Sequence, residues 1–143
     1  MEIKIKELNK KDQMITAYPL ISQMYEKIDF EKFSIAVDEM IKRDNYKMVA
    51  AFDGEKMVGV AGYWVSFMLY CGRYLQASNF VVDKQSRGRG TGGKILKYLE
   101  EKAKKEQCNK FVLDSYTENK KSHPLLFRED FYIRGFHFMK NIE

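Results

Sequence analysis

The sequence predicts a mixed α/β fold in one domain spanning residues 1–143: a set of antiparallel strands, with a parallel strand added by one crossover helix. Three observations carry that expectation. β-rich runs flank an Asp53-Gly54 turn and reverse again near Gly72, as hairpins do. Two stretches with apolar residues at helical spacing precede them. Finally, Phe80-Val81-Val82 runs through a glycine-rich turn into a third helical stretch, which leads to Phe111-Val112-Leu113. Strand, helix and strand in that order make a parallel crossover unit. A chain of 143 residues fits one core and not two.

The elements follow in order. Met1-Glu2-Ile3-Lys4-Ile5-Lys6 alternates apolar and charged residues like an edge strand, and lacks the apolar core of a signal peptide. Met14, Ala17, Leu20, Ile21, Met24 and Ile28 form one helical stripe, and Phe33, Ala36, Val37, Met40 and Ile41 a second. Strands are expected over 47–52, 57–68 and 74–82. A helix then runs to about residue 105, with Ile95, Leu96, Leu99 and Ala103 on its apolar face. Phe111-Val112-Leu113 is a short buried strand, a last helix begins near His123, and the weakly alternating segment 133–139 is expected to add a final strand. The full order is β-α-α-β-β-β-α-β-α-β.

Composition narrows the function. Apolar residues make 45% of the chain and charged residues 31%, too apolar for disorder. No apolar run approaches the ~20 residues of a membrane helix, so no membrane partner is expected and the location is read as cytoplasmic. Cys71 and Cys108 have no metal-ligand spacing and are too few for a disulfide framework, so no metal is expected. The net charge of +5 is spread along helices without a groove-reading motif, which argues against nucleic acid and suits an anionic cofactor.

The segment Arg87-Gly88-Arg89-Gly90-Thr91-Gly92-Gly93-Lys94 carries the chemistry. Glycines let a backbone approach a ligand closely, and the first N–H groups of the helix that follows have no partner inside it, so they can point at a phosphate. Arg87, Arg89 and Lys94 add positive charge at the same point. A P-loop would need Ser or Thr after Gly-Lys, and Ile95 stands there. The dinucleotide fingerprint G-x-G-x-x-G is not met either, and it belongs after the first strand of a fold.

Arg-x-x-Gly-x-Gly, here Arg87, Gly90 and Gly92, between Val-Val-Asp and Ile-Leu, resembles the coenzyme A pyrophosphate loop of the GNAT superfamily of N-acetyltransferases. The element order resembles that fold over essentially the whole chain. The resemblance implies acetyl-CoA as co-substrate. Its pyrophosphate would sit on residues 87–94, and its pantetheine arm would pair with backbone groups of Phe80, Val81 and Val82. An amine would attack the thioester directly, with the oxyanion held by a backbone N–H of the same strand.

The family commonly shows Asn-x-x-Ala-x-x-Phe-Tyr after its fifth strand, where Asn contacts pantetheine and Tyr protonates the departing thiolate. Asn119, Ser122, Leu125 and Leu126 occupy those positions here, so the tyrosine is absent in this register. Ser122-His123, Phe127-Arg128 and His137-Phe138 resemble one branch of the superfamily, with Asp130 in place of its glycine. A second register puts Tyr132 on the tyrosine and Gly135-Phe136 on the family's Gly-Phe, making Tyr132 the fallback acid, but it runs the last helix through Pro124.

On the fourth strand Gln76-Ala77-Ser78-Asn79 shows no acid to deprotonate the amine; Ser78 and Asn79 can hold a water or a substrate. His123, at the start of the last helix, is a candidate base or proton relay. His137 reads as a packed residue on the final strand. Tyr63, Trp64, Phe67 and Tyr70 either line an acceptor pocket or are ordinary sheet aromatics. Exposed strand edges near the C-terminus leave room for a homodimer.

Two functions stay open. One is an N-acetyltransferase acting on a small-molecule or protein amine. The other is a non-catalytic acyl-CoA-binding or sensory domain, which Leu126 and the missing acids would suit.

Overall fold

A computed structural model describes residues 2–142, which form two compact units, one ending at Leu113 and one beginning at Asp114. The first holds a five-stranded sheet with helices on both faces. Its strands are β1 (Ile3–Leu8), β2 (Lys47–Asp53), β3 (Lys56–Met68), β4 (Gly72–Val82) and β5 (Lys110–Leu113), in spatial order β1-β2-β3-β4-β5. Every pairing is antiparallel except β4 with β5. The parallel pair is joined by α4 (Thr91–Lys105), the crossover helix read from the sequence.

The first helical stripe is not one helix. It becomes α1 (Lys11–Met14), a 3-10 turn (Ile15–Ala17) and α2 (Tyr18–Met24). Pro19 explains the break: it has no N–H for the helix ladder and is tolerated only in a first turn, where it falls at the start of α2. The second stripe is a single helix, α3 (Phe30–Asp44). Asp29 caps it by accepting the Lys32 N–H at 2.8 Å, and Asn45 ends it in the left-handed conformation.

Helices α1 to α3 cover one face of the sheet, with Met14, Leu20, Ile21, Phe33 and Val37 packed on Met48, Ala50, Val60 and Val81. Helix α4 covers the other, where Ile95, Leu99 and Ala103 meet Val49, Ala51, Val58, Ala61 and Leu75. Gly59 lets α4 approach closely, because a Cβ there would press on Ile95 and Thr91.

The second unit contains α5 (His123–Arg128) and, among the described residues, no strand. The expected strand over 133–139 does not form, so the element order stops at α5. A strand exists only through a ladder partner, and none is paired to this segment among the described residues. The alternation is itself broken at Arg134-Gly135, and Ile133, Phe136, Phe138 and Met139 stand exposed. His137 is correspondingly not packed: its side chain is 67% exposed, with Nδ1 at 3.8 Å from the Asp114 carboxylate.

Candidate active site

Strand β4 is paired to β3 along its length, but to β5 only from Tyr74 to Ala77. Beyond Ala77 the edge facing β5 carries no ladder among the described residues. The same point holds a β-bulge. Gly62 pairs with Ser78 and Val60 with Val81, so Ala61 alone faces Asn79 and Phe80. Asn79 takes the left-handed φ of 54° that the extra residue requires, a conformation asparagine tolerates better than most side chains.

The extra residue reverses the facing of every later side chain. Leu75 and Ala77 belong to the α4 cluster; past Asn79, Phe80 joins that cluster and Val81 turns to the α1–α3 side. The Asn79 amide is engaged at both ends. Its Oδ1 accepts the Tyr25 hydroxyl at 2.9 Å and its Nδ2 donates to the Tyr46 oxygen at 2.7 Å. Ser78 beside it is half-buried.

Strand β4 ends at Val82, and Asp83 after it is a buried carboxylate that organises the turn into the loop. It accepts Gln23 Nε2 at 3.1 Å and the Ser86 hydroxyl at 3.4 Å, and lies 3.4 Å from Lys56 Nζ. The Gln23 bond, aided by Lys56 and the Gln85 N–H, holds its pKa below the usual carboxylate value against the opposing effect of burial.

The loop then runs exposed from Arg87 to Gly90. Gly88 and Gly90 have φ of 85° and 76°, and space around both is open. Gly90 begins α4 with no side-chain cap, so the first N–H groups of the helix keep their capacity for a ligand. Thr91 follows, 2% exposed, and its hydroxyl oxygen is a buried side-chain polar atom with no hydrogen-bond partner among the described residues. Gly92 is buried, Gly93 half-buried and Lys94 exposed, while Arg89 lies 3.6 Å from Asp53. Two left-handed glycines, an uncapped helix start, three cations and an orphaned hydroxyl fit a pyrophosphate.

In the second unit Asn119 is half-buried, and its N–H bonds the Tyr116 carbonyl at 3.1 Å. His123 Nε2 lies 3.0 Å from the same carbonyl. A carbonyl only accepts, so Nε2 carries the proton and Nδ1 the lone pair when the ring is neutral. Leu126 lies within α5, and Tyr132 beyond it is 66% exposed.

The family model described as the acetyltransferase (GNAT) family matches residues 14–131. The chain belongs to the GNAT family. The protein named Uncharacterized N-acetyltransferase YhdJ of Bacillus subtilis is 22% identical over 121 residues, covering 85% of either chain. Among solved structures, an acetyltransferase of Trypanosoma brucei superposes with a TM-score of 0.78 at 18% identity, over 99% of this chain and 100% of that one. A ribosomal-protein-alanine N-acetyltransferase of Brucella melitensis gives 0.80 at 18% identity, again over 99% and 100%. At these identities the structures share the GNAT fold with this chain.

Within the first unit, Ser78, Asn79, Phe80, Val81 and Val82 lie on the unladdered length of β4, and residues 87–94 follow directly from its end. Sequence reasoning missed the residues that fix this geometry. Tyr25, Tyr46 and Gln23 come from elements more than 30 residues earlier, and nothing in their spacing marks them. It also missed Glu7 of β1, whose carboxylate accepts the Tyr63 and Tyr98 hydroxyls at 2.7 and 2.8 Å and lies 2.7 Å from Lys102 Nζ. Of the aromatic residues considered for an acceptor pocket, Tyr63, Trp64 and Phe67 border a cavity of about 420 Å³ that Lys47 and Lys102 also line. Among the described residues no helix is long and apolar enough to cross a membrane, and no cluster of His, Cys, Asp and Glu has the makings of a metal site.

Proposed function

We propose that this GNAT chain works as one N-acetyltransferase domain that moves an acetyl group from acetyl-CoA to a primary amine, on a small molecule or a protein, by direct attack in a ternary complex. The observation that carries this reading is the loop of residues 87–94, whose Thr91 hydroxyl has no hydrogen-bond partner among the described residues, at the end of a strand whose edge toward β5 carries no ladder past Ala77 among them. In this reading Arg87, Gly88, Arg89, Gly90, Thr91, Gly92, Gly93 and Lys94 bind the pyrophosphate, and backbone groups of Phe80, Val81 and Val82 take the pantetheine arm.

Acetyl-CoA supplies the thioester carbonyl. The amine nitrogen bonds to that carbon, the C–S bond breaks, and the thiolate takes up a proton. Because the oxyanion is held by a strand N–H, proximity and a fixed donor supply most of the rate. Ser78 and Asn79 border the attack, Ser78 by ordering the water that receives the amine proton. Asn119, His123 and Tyr132 are the candidates for contacting pantetheine and moving protons, each to be tested by itself. A cytoplasmic location and a homodimer belong to the same reading.

Leu126, where the family commonly has tyrosine, favours a second reading: a domain that binds acyl-CoA without turnover. Calorimetric titration with acetyl-CoA, followed by a thiol-release screen against amines, decides between them. Arg89→Glu is expected to weaken binding at least tenfold, while the same charge reversal at Lys42 on α3 leaves it unchanged. Absence of binding by the unaltered protein would overturn both readings, and binding without thiol release from any amine would leave the second.

A further inference from the structure

The unladdered length of β4 is gripped at both ends by one short helix. Tyr25, the C-cap of α2, donates its hydroxyl to Asn79 Oδ1 at 2.9 Å. Two residues earlier, Gln23 donates Nε2 to Asp83 Oδ1 at 3.1 Å and accepts the Lys84 N–H at 3.1 Å. Asn79 and Asp83 are the two ends of the segment that contains Phe80, Val81 and Val82. From the side, Tyr46 takes the remaining Asn79 bond at 2.7 Å. Its ring is buried against Gly62, where any Cβ would overlap the phenol oxygen, so the acceptor has one position. Burial also pushes the Tyr46 pKa well above its ordinary value, which keeps that phenol neutral.

A strand paired on one side only, with a left-handed residue in it, has reason to relax. An extra residue is easily absorbed by register slippage where one edge makes no ladder, and a non-glycine residue at positive φ persists only where its surroundings over-determine it. Here the over-determination is visible: both ends of one side-chain amide are fixed by tyrosines from different elements, and the far end of the segment by a glutamine.

We propose that Tyr25, Gln23 and Tyr46 are positioning residues, which brace residues 79–83 in the bulged form and so hold its unladdered backbone groups ready for an incoming thioester. The brace is a statement about the ligand-free protein. Its catalytic consequence rests on the acetyltransferase reading above, in which a preset N–H is a donor that needs no reorganisation as the oxyanion forms. Because Tyr25 closes α2 and opens the turn at 26–29, the same bond ties that turn to the reacting strand.

The test compares Tyr25→Phe, Asn79→Gly and their combination with the unaltered protein. Phenylalanine keeps the ring and removes the donor; glycine keeps the left-handed backbone and removes the bonded amide. Hydrogen exchange of ligand-free protein is expected to accelerate about five- to tenfold over residues 78–83 in each variant, the factor set by one hydrogen bond of typical net strength. Exchange over 47–51 in β2 should stay unchanged. The turnover number should fall by a similar factor while acetyl-CoA affinity falls less, because the loop carries most of that affinity and the braced segment only the share made by the pantetheine arm. The combination should add nothing to Asn79→Gly. Unaltered exchange over 78–83, a uniform rise across the sheet, or faster exchange with unchanged turnover would each overturn the proposal. If the unaltered protein neither binds acetyl-CoA nor releases thiol, the acetyltransferase reading falls with the catalytic consequence, and the exchange comparison still decides whether the brace exists.

Discussion

Replacing Thr91 by Val should strengthen the fold and weaken cofactor binding. The hydroxyl is 2% exposed and unpartnered among the described residues. An unmet buried polar group costs about 1–3 kcal/mol, and exchanging it for a methyl group adds about 0.8 kcal/mol of apolar burial. Against this stands crowding, since α4 already packs tightly on Gly59 here. Branching at Cβ is unchanged, so the start of the helix is not penalised. A net gain of about 1.5 kcal/mol corresponds to a rise of about 5 °C in melting temperature for a chain of this size. The same hydroxyl bonded to a phosphate oxygen would be worth about 1.5 kcal/mol or more, so acetyl-CoA affinity should fall at least tenfold. Scanning calorimetry without ligand and titration calorimetry with it give the two numbers. A melting temperature that stays or falls, with affinity unchanged, would refute the reasoning, because the hydroxyl would then be neither a burden to the fold nor a ligand contact.

Two further outcomes follow from packing and charge. Burial pushes the Glu7 pKa up, but bonds from Lys102, Tyr63 and Tyr98 outweigh it and leave the group below its ordinary 4.5. A depressed carboxylate stabilises the fold above its unfolded pKa and loses that contribution as pH falls through its folded value. Glu7→Gln should therefore cost about 1–2 kcal/mol in urea melts at pH 7 and clearly less at pH 3.5; an equal cost at both would show that the charge is irrelevant. Gly62→Ala should cost about 3 kcal/mol, since its Cβ meets the fixed ring of Tyr46, while Gly59→Ala should cost about 1 kcal/mol, since the nearest atom is the mobile end of Ile95. Thermal melts that reverse this order would contradict the packing described.

The parts of this protein legible from sequence are those fixed by neighbours along the chain. Periodicity located β1 to β5, α3 and α4, because each buries a face that repeats locally. The glycine loop was legible for the same reason: its left-handed glycines, helix start and cations are consecutive. Pro19 could have signalled the break between α1 and α2, since a missing N–H is a local fact, but the continuing apolar stripe masked it. The final strand failed because alternation records a capacity for pairing, and pairing needs a partner that alternation does not name. The bulge at Asn79 shows in the sequence only as two consecutive polar residues, Ser78 and Asn79, between Ala77 and Phe80, and its effect on facing is fixed only by the register against Gly62 and Val60. Tyr25, Tyr46 and Glu7 act through bonds to residues 33 to 91 positions away in the chain, and single-sequence spacing has no access to such distances.

The Glu7 contacts also bear on the order in which the molecule assembles. The bond from Tyr98 to Glu7 joins residues 91 positions apart, and closing a flexible loop of that length costs about 4 kcal/mol in chain entropy, before any constant term. The β2–β3–β4 meander, by contrast, is built from hairpins between successive strands and needs no such closure. The meander's contacts are local, β1 reaches it by pairing with β2 from Ile3↔Asp53 to Leu8↔Met48, and the Tyr98–Glu7 bond is the most distant closure of the three. Glu7 therefore fastens the N-terminal strand to β3 and to α4 at once, through Tyr63 on the one and Tyr98 and Lys102 on the other.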